Sequence, residues 1–131
     1  MYDPFEHAAS LGLAVRHVPH LETVGLYTDN HIYLREGLNR RTERCVLAHE
    51  ISHAVHGDEP TKDPALYARR ELRADREAAQ WLIPDHALAD CAAVTEDIGQ
   101  WALELDVTGW ILEARLKELD GTRSGPLAHR P

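Results

Sequence analysis

The sequence predicts an α+β fold: a short three-stranded sheet, antiparallel or mixed, packed on a helical bundle that ends in a helix-turn-helix-like pair. Three observations carry this reading. Residues 40–56 and 65–83 have apolar positions at helical spacing, contain no Gly or Pro, and are flanked by capping residues. Residues 14–34 hold short runs of β-branched and aromatic side chains separated by turn signals. After Pro84 the pattern is helical again, with a break at Leu105-Asp106-Val107-Thr108. At 131 residues the chain is long enough for one domain with its own core. That domain is assigned to residues 1–120, and residues 121–131 are expected to form a disordered tail.

The first element is a short helix from Pro4 to about Leu13, with Phe5, Ala8, Ala9 and Leu11 as apolar contacts. Ala14–Val18 and Thr23–Tyr27 are strand-like, Asp29-Asn30 is a turn, and His31–Leu34 is a third strand. Asn39 is an N-cap for the next helix, which buries Val46, Leu47, Ala54 and Val55 and stops at Gly57, a natural C′ residue. Asp63 caps the following helix, Pro64 is its first residue, and Pro84 ends it. Asp85–Cys91 is a short helix, and Thr95–Leu119 reads as two helices, with Thr108 capping Gly109–Leu119.

Composition narrows the class. A hydrophobic content of 44% is ordinary for a globular protein, and no apolar run approaches the length of a membrane span. The start, Met-Tyr-Asp-Pro-Phe-Glu-His, lacks a signal-peptide pattern, and two cysteines, Cys45 and Cys91, make no disulfide framework, so a cytoplasmic location is expected. The helix-turn-helix-like pair is not read as a DNA reader. Its second helix begins with Gly109, Trp110, Ile111 and Glu113 rather than basic or amide side chains, and a net charge of −8 repels phosphate. Trp110 and Ile111 suit packing or a protein partner. No internal repeat, phosphate-binding glycine loop or nucleophilic triad is found.

The chemistry lies in His49-Glu50-Ile51-Ser52-His53. Two histidines four apart on a helix share a face, their Cβ atoms about 5–6 Å apart, so one metal ion can bridge both imidazoles. Glu50, beside the first histidine, is placed to act as general base toward a metal-held water. A third ligand is needed, since catalytic zinc usually takes three protein ligands and leaves one position open. Glu71, eighteen positions after His53, shares a helix face with Asp75, Ala78, Ala79 and Leu82. Two carboxylates on a small, apolar face are unusual unless something cationic meets them. Glu71 is therefore read as the third ligand, and Asp75 as the acceptor for the spare N–H of His49. The plain alternative is a pair of surface acids facing arginines. Cys45, one turn before His49, is read as a small buried hydrophobe, and His56 as a residue closing the helix end.

The segments Arg-Cys-Val-Leu-Ala-His-Glu-Ile-Ser-His-Ala-Val-His-Gly and Glu-Leu-Arg-Ala-Asp-Arg-Glu-Ala-Ala-Gln-Trp-Leu-Ile-Pro resemble the ImmA/IrrE family of metallopeptidase-like proteins. The resemblance spans most of residues 5–119, with its specific motifs at 45–57 and 69–84. It implies a small zincin-like domain and a gluzincin-type site, with His49, His53 and Glu71 as ligands and Glu50 as base. The cofactor expected is Zn2+, with Mn2+ as the alternative. Two positions depart from the family pattern: Glu77 stands where an aromatic residue is common, and Arg73 where a second acid is.

The expected activity is endopeptidase hydrolysis, with an oxyanion donor drawn from Tyr27, Tyr33, Tyr67 or His31. The strand His31–Arg35 is expected to offer a free edge to an extended substrate, the alternative being a structural hairpin over the helices. The substrate the resemblance implies is a helix-turn-helix transcriptional repressor, cleaved or inactivated to switch on mobile-element or stress genes, and the compact chain looks like members from phages and mobile elements. Neither direct nucleic-acid binding nor membrane association is expected. Two other classes stay open: a non-catalytic anti-repressor or antitoxin-like binding protein, and a structural zinc site whose fourth position is filled by Cys45 or His56.

Overall fold

A computed structural model describes residues 1–128, with side chains through Gly121. The element order is α1 (Pro4–Ser10), β1 (Ala14–Val18), β2 (Gly25–Thr28), β3 (His31–Arg35), α2 (Arg40–Val55), α3 (Pro64–Leu82), α4 (Asp85–Val94), α5 (Ile98–Leu105) and α6 (Gly109–Ala128). The fold is α+β, a small zincin-like domain with a mixed three-stranded sheet on a helical bundle.

The sheet runs β1-β3-β2, with β1 parallel to β3 and β2 antiparallel to it. Asp29 and Asn30, both at positive φ (48° and 63°), form the two-residue turn between β2 and β3. This order corrects the expectation for His31–Arg35: β3 is the central strand, paired on both sides, and has no free edge. Its sequence carries the reason. Ile32 and Leu34 are fully buried against α2, the deepest positions in the sheet, and a strand so anchored is covered on both flanks. The exposed edge on this side belongs to β2.

α2 is the spine of the molecule. Asn39 caps it by accepting from the Thr42 amide at 2.9 Å, and Gly57, at φ +66°, turns the chain out of it. One flank packs Val46, Leu47 and Ile51 onto the sheet, and another places Cys45 and Ala48 among α3, α4, α5 and α6. Burying a side chain such as Leu47 or Ile51 contributes about 1.5–3 kcal/mol relative to leaving it exposed. With both sides fixed, the histidine-bearing turns have little freedom. α3 lies against α2 through Ala74, Ala78 and Ala79, all without solvent exposure. Such small residues let the two helices approach closely enough for side chains on both to meet.

The C-terminal pair locks onto this spine. Asp106, in the left-handed conformation, separates α5 from α6, and buried Arg44 of α2 donates to its carbonyl at 2.6 Å. Val107, Ile111 and Leu112 enter the core, while Trp110 stays partly exposed. Buried Arg115 of α6 donates to the Ile83 carbonyl at 2.8 Å and pairs with Asp85, fixing the α3–α4 corner. α6 extends past Leu119 to Ala128, so most of the expected tail falls on its last turns, and the expectation for residues 129–131 lies outside the described residues. Among the described residues no helix is long and apolar enough to cross a membrane.

Candidate metal centre

Residues from α2 and α3 meet at one point. His53 Nε2 lies 3.1 Å from His49 Nε2 and 2.7 Å from Glu71 Oε2, and His49 Nε2 lies 3.3 Å from Glu71 Oε1. The remaining imidazole nitrogens face carboxylates: His49 Nδ1 is 2.8 Å from Asp75 Oδ1, and His53 Nδ1 is 3.0 Å from Asp58 Oδ2. With Nδ1 donating to Asp75 or Asp58, each imidazole can present a bare Nε2 to a metal ion, and without one a proton on Nε2 bonds to Glu71 instead. Two imidazole nitrogens and a carboxylate then converge on one point. Only a cation, or protons taken up in its place, satisfies such a set.

The spacing fits a metal ion. Ligand atoms about 2.0–2.1 Å from a tetrahedral ion lie roughly 3.3 Å from each other. The three observed separations, 2.7, 3.1 and 3.3 Å, lie at or below that value, as expected of groups that share protons where a metal ion would sit. Glu50 is a rival by proximity, since donor atoms of His49, Glu50 and His53 all fall within 4.8 Å of one another. Its Oε2 is 4.0 Å from His49 Nε2, however, farther than Glu71, and the backbone N–H of Tyr27 donates to its carboxylate. Glu71 is the better-placed third donor, and Glu50 stands beside the point of convergence.

The electrostatics report the same demand for positive charge. Burial alone would lower the His49 pKa, but hydrogen bonds to Asp75 and Glu71 and the charge of Glu50 outweigh it and lift the value to about 10. Burial would raise that of Glu71, yet the two histidines bring it down to about 2. Glu50 moves the other way: burial pushes its carboxyl up, only partly offset by the histidines. A buried carboxyl with a raised pKa beside a cationic centre is suited to taking and returning a proton.

A cleft of about 470 Å³ opens over this cluster. Thr23 to Tyr27 form one wall, residues 58–61 with Arg70 another, and Trp110 from α6 the rim. Val24 accepts from the Arg35 amide, so in the antiparallel register Gly25 and Tyr27 turn their backbone groups to the free edge of β2. On that edge the Tyr27 N–H meets Glu50 and the Gly25 carbonyl accepts from the Thr23 hydroxyl at 2.7 Å.

Of the four side chains considered as oxyanion donors, Tyr27 and Tyr67 line the cleft. Tyr67 lies one turn before Glu71 on α3, and the Glu71 charge, then burial, raises its phenol pKa and keeps the proton available. Tyr33 and His31 do not reach the cleft. They stack on each other at 5.9 Å on the sheet face opposite the buried Ile32 and Leu34, because side chains alternate along a strand. Cys45 and His56 also point elsewhere. Cys45 accepts from the Thr108 amide at 3.4 Å in the core, and the His56 ring meets Glu77 at 3.1 Å. Neither is placed to fill a fourth position. Sequence reasoning missed Asp58 and Arg70. The available signal was positional: an acid directly after the helix-ending Gly57, five residues beyond His53.

A buried helix carrying two histidines and an acid, packed on a second helix that offers a carboxylate beside an edge strand, defines a metallopeptidase-type domain able to bind a metal ion. The family model described as IrrE N-terminal-like domain, peptidase M78, matches residues 5–117, and the chain belongs to that family. No curated protein matches the chain.

Proposed function

We propose that the protein is a zinc-dependent endopeptidase of the gluzincin type, with His49, His53 and Glu71 as metal ligands, Glu50 as general base and Asp75 orienting His49. The observation that supports it most is the convergence of His49 Nε2, His53 Nε2 and the Glu71 carboxylate beside a buried acid with a raised pKa. A divalent ion there supplies Lewis-acid polarisation of a carbonyl and acidifies water. The remaining work falls to the chain. The free edge of β2 aligns an extended substrate across the cleft. Glu50 accepts a proton from the attacking water and delivers it to the departing amine nitrogen. Tyr67 donates its phenolic hydrogen to the oxygen of the attacked carbonyl. Because Glu50 holds the Tyr27 amide, substrate pairing at that position requires the carboxylate to let go of it.

The substrate we propose is a helix-turn-helix transcriptional regulator. The likeness to ImmA/IrrE proteins supports it, and a net charge of −8 would steer a basic DNA-binding partner toward the cleft. The test uses the Glu50→Gln variant as bait in lysate from the source cell, followed by metal-loaded wild type and intact-mass measurement. Two fragments that sum to one captured regulator plus a water support the proposal. A partner held but left whole favours a non-catalytic anti-repressor instead.

A further inference from the structure

We infer that Asp58 is a positioning residue for His53, held in place by Arg70 and Arg73, and that this brace makes metal affinity depend on the helix-ending turn of α2. The inference rests on the metal-centre reading above and adds a residue to it.

The turn creates the contact. His56 closes α2, Gly57 takes positive φ, and two hydrogen bonds fold the chain back: Gly57 N–H to the Ala54 carbonyl at 3.1 Å, and Asp58 N–H to the His53 carbonyl at 2.9 Å. This is the Schellman pattern, in which the second residue past the cap returns to the third residue before it. Here that third residue is His53. Asp58 therefore holds His53 twice, through its amide on the backbone and its carboxylate on Nδ1 at 3.0 Å. With Asp75 on His49 Nδ1, each histidine has a carboxylate behind it, one from α3 and one from the turn.

Asp58 is itself secured. Only 8% of its side chain is exposed, Arg70 Nε lies 3.3 Å from its Oδ1, and Arg73 pairs with its Oδ2. Arg70 also donates to the Glu59 carbonyl at 2.8 Å, pinning the loop that walls the cleft. A buried carboxylate shared among an imidazole and two guanidiniums keeps its charge and orientation, and a fixed acceptor holds the ring in the tautomer a metal needs. The guanidinium of Arg73 balances the charge that Asp58 presents to His53, so the arginine and the aspartate make one device.

The test compares wild type with Asp58→Ala, Asp58→Asn and Arg73→Leu. Zn2+ affinity is measured by chelator competition, and ring-nitrogen NMR of the metal-free proteins reads the His53 tautomer. Loss of an outer partner of this kind costs about 10–100-fold in metal affinity. Asp58→Ala is expected to show that loss and to release His53 from its Nδ1-protonated form, with Asp58→Asn partly restoring both and Arg73→Leu intermediate. Wild-type affinity and an unchanged His53 tautomer in folded Asp58→Ala would overturn the inference. If Asp58→Ala does not fold, Asp58→Asn and Arg73→Leu decide it by the same two readouts. A wild type that binds no metal would sink the metal-centre reading instead, while the His53 resonances still report whether Asp58 holds the ring.

Discussion

Gly25 sits directly over Glu50: a Cβ on Gly25 would come within 3.1 Å of Glu50 Cγ and 2.5 Å of Val46 Cγ1. The absence of a side chain lets the edge strand and the acid of α2 share one space. Gly25→Ala must displace both neighbours. Overpacking of this kind costs about 1–3 kcal/mol, to be read from the midpoint of chemical denaturation. Hydrolysis should fall by more than the stability loss explains, because the displaced carboxylate is the base we propose. A variant with wild-type activity would show that Glu50 tolerates the shift.

Glu50→Gln and Glu71→Ala should separate chemistry from binding. The amide keeps the shape of Glu50 but takes no proton, so metal content should stay near wild type while turnover drops by about 10²–10⁴-fold. Glu71→Ala removes the carboxylate that meets both histidines and should lower metal stoichiometry after dialysis. Elemental analysis beside a peptidase assay reads both. Equal metal content in Glu71→Ala would place the third ligand elsewhere.

Metal affinity should rise with pH. In the metal-free protein His49 holds its proton to about pH 10, so near neutrality an incoming ion must displace it. Each displaced proton changes apparent affinity about tenfold per pH unit, and chelator competition from pH 6 to 8 measures the slope. The metal-free fold follows the opposite course above neutrality. The raised His49 pKa contributes stability that is complete below the ordinary value of 6.5 and lost as pH rises through about 10. The lowered Glu71 pKa contributes stability present above 4.5 and lost as pH falls through about 2. Metal-free protein should therefore gain most from this pair between those two ordinary values, and a thermal-midpoint series in chelator checks it.

Arg44→Ala should harm the fold and spare the site. Arg44 is buried, donates to the carbonyls of Asp106 and Tyr2, and ties both ends of the domain to α2. Leaving such acceptors without a donor costs about 1–3 kcal/mol each. Urea unfolding should show the loss, with zinc affinity of the folded fraction unchanged. A parallel fall in affinity would mean that the α5–α6 turn supports the histidine helix more directly.

The sequence by itself determined the helices, the caps of α2 and α3 and the candidate donors, because these depend on local chemistry. The Thr108 hydroxyl, read as a cap, makes no hydrogen bond among the described residues. Asn39 and Asp63 cap, Gly57 and Pro84 stop, and His49 with His53 share a face through a four-residue spacing. Glu71 and Asp75 were legible for a related reason: acids on a small, apolar helix face are costly without a cationic partner. Tertiary structure alone decided what lies beside what. Strand order is set by which apolar face is buried deepest, and Ile32 and Leu34 drew β3 to the centre and left the edge to β2. Alternation along β3 turned His31 and Tyr33 to the other sheet face, and the strand order brought Tyr27 and Gly25 to the cleft. Asp58 stayed hidden because its role depends on the backbone reversal at Gly57 and on two arginines from another helix. Spacing along a helix is local geometry that one segment contains; the neighbours of a strand or a turn are set by the burial of the whole chain.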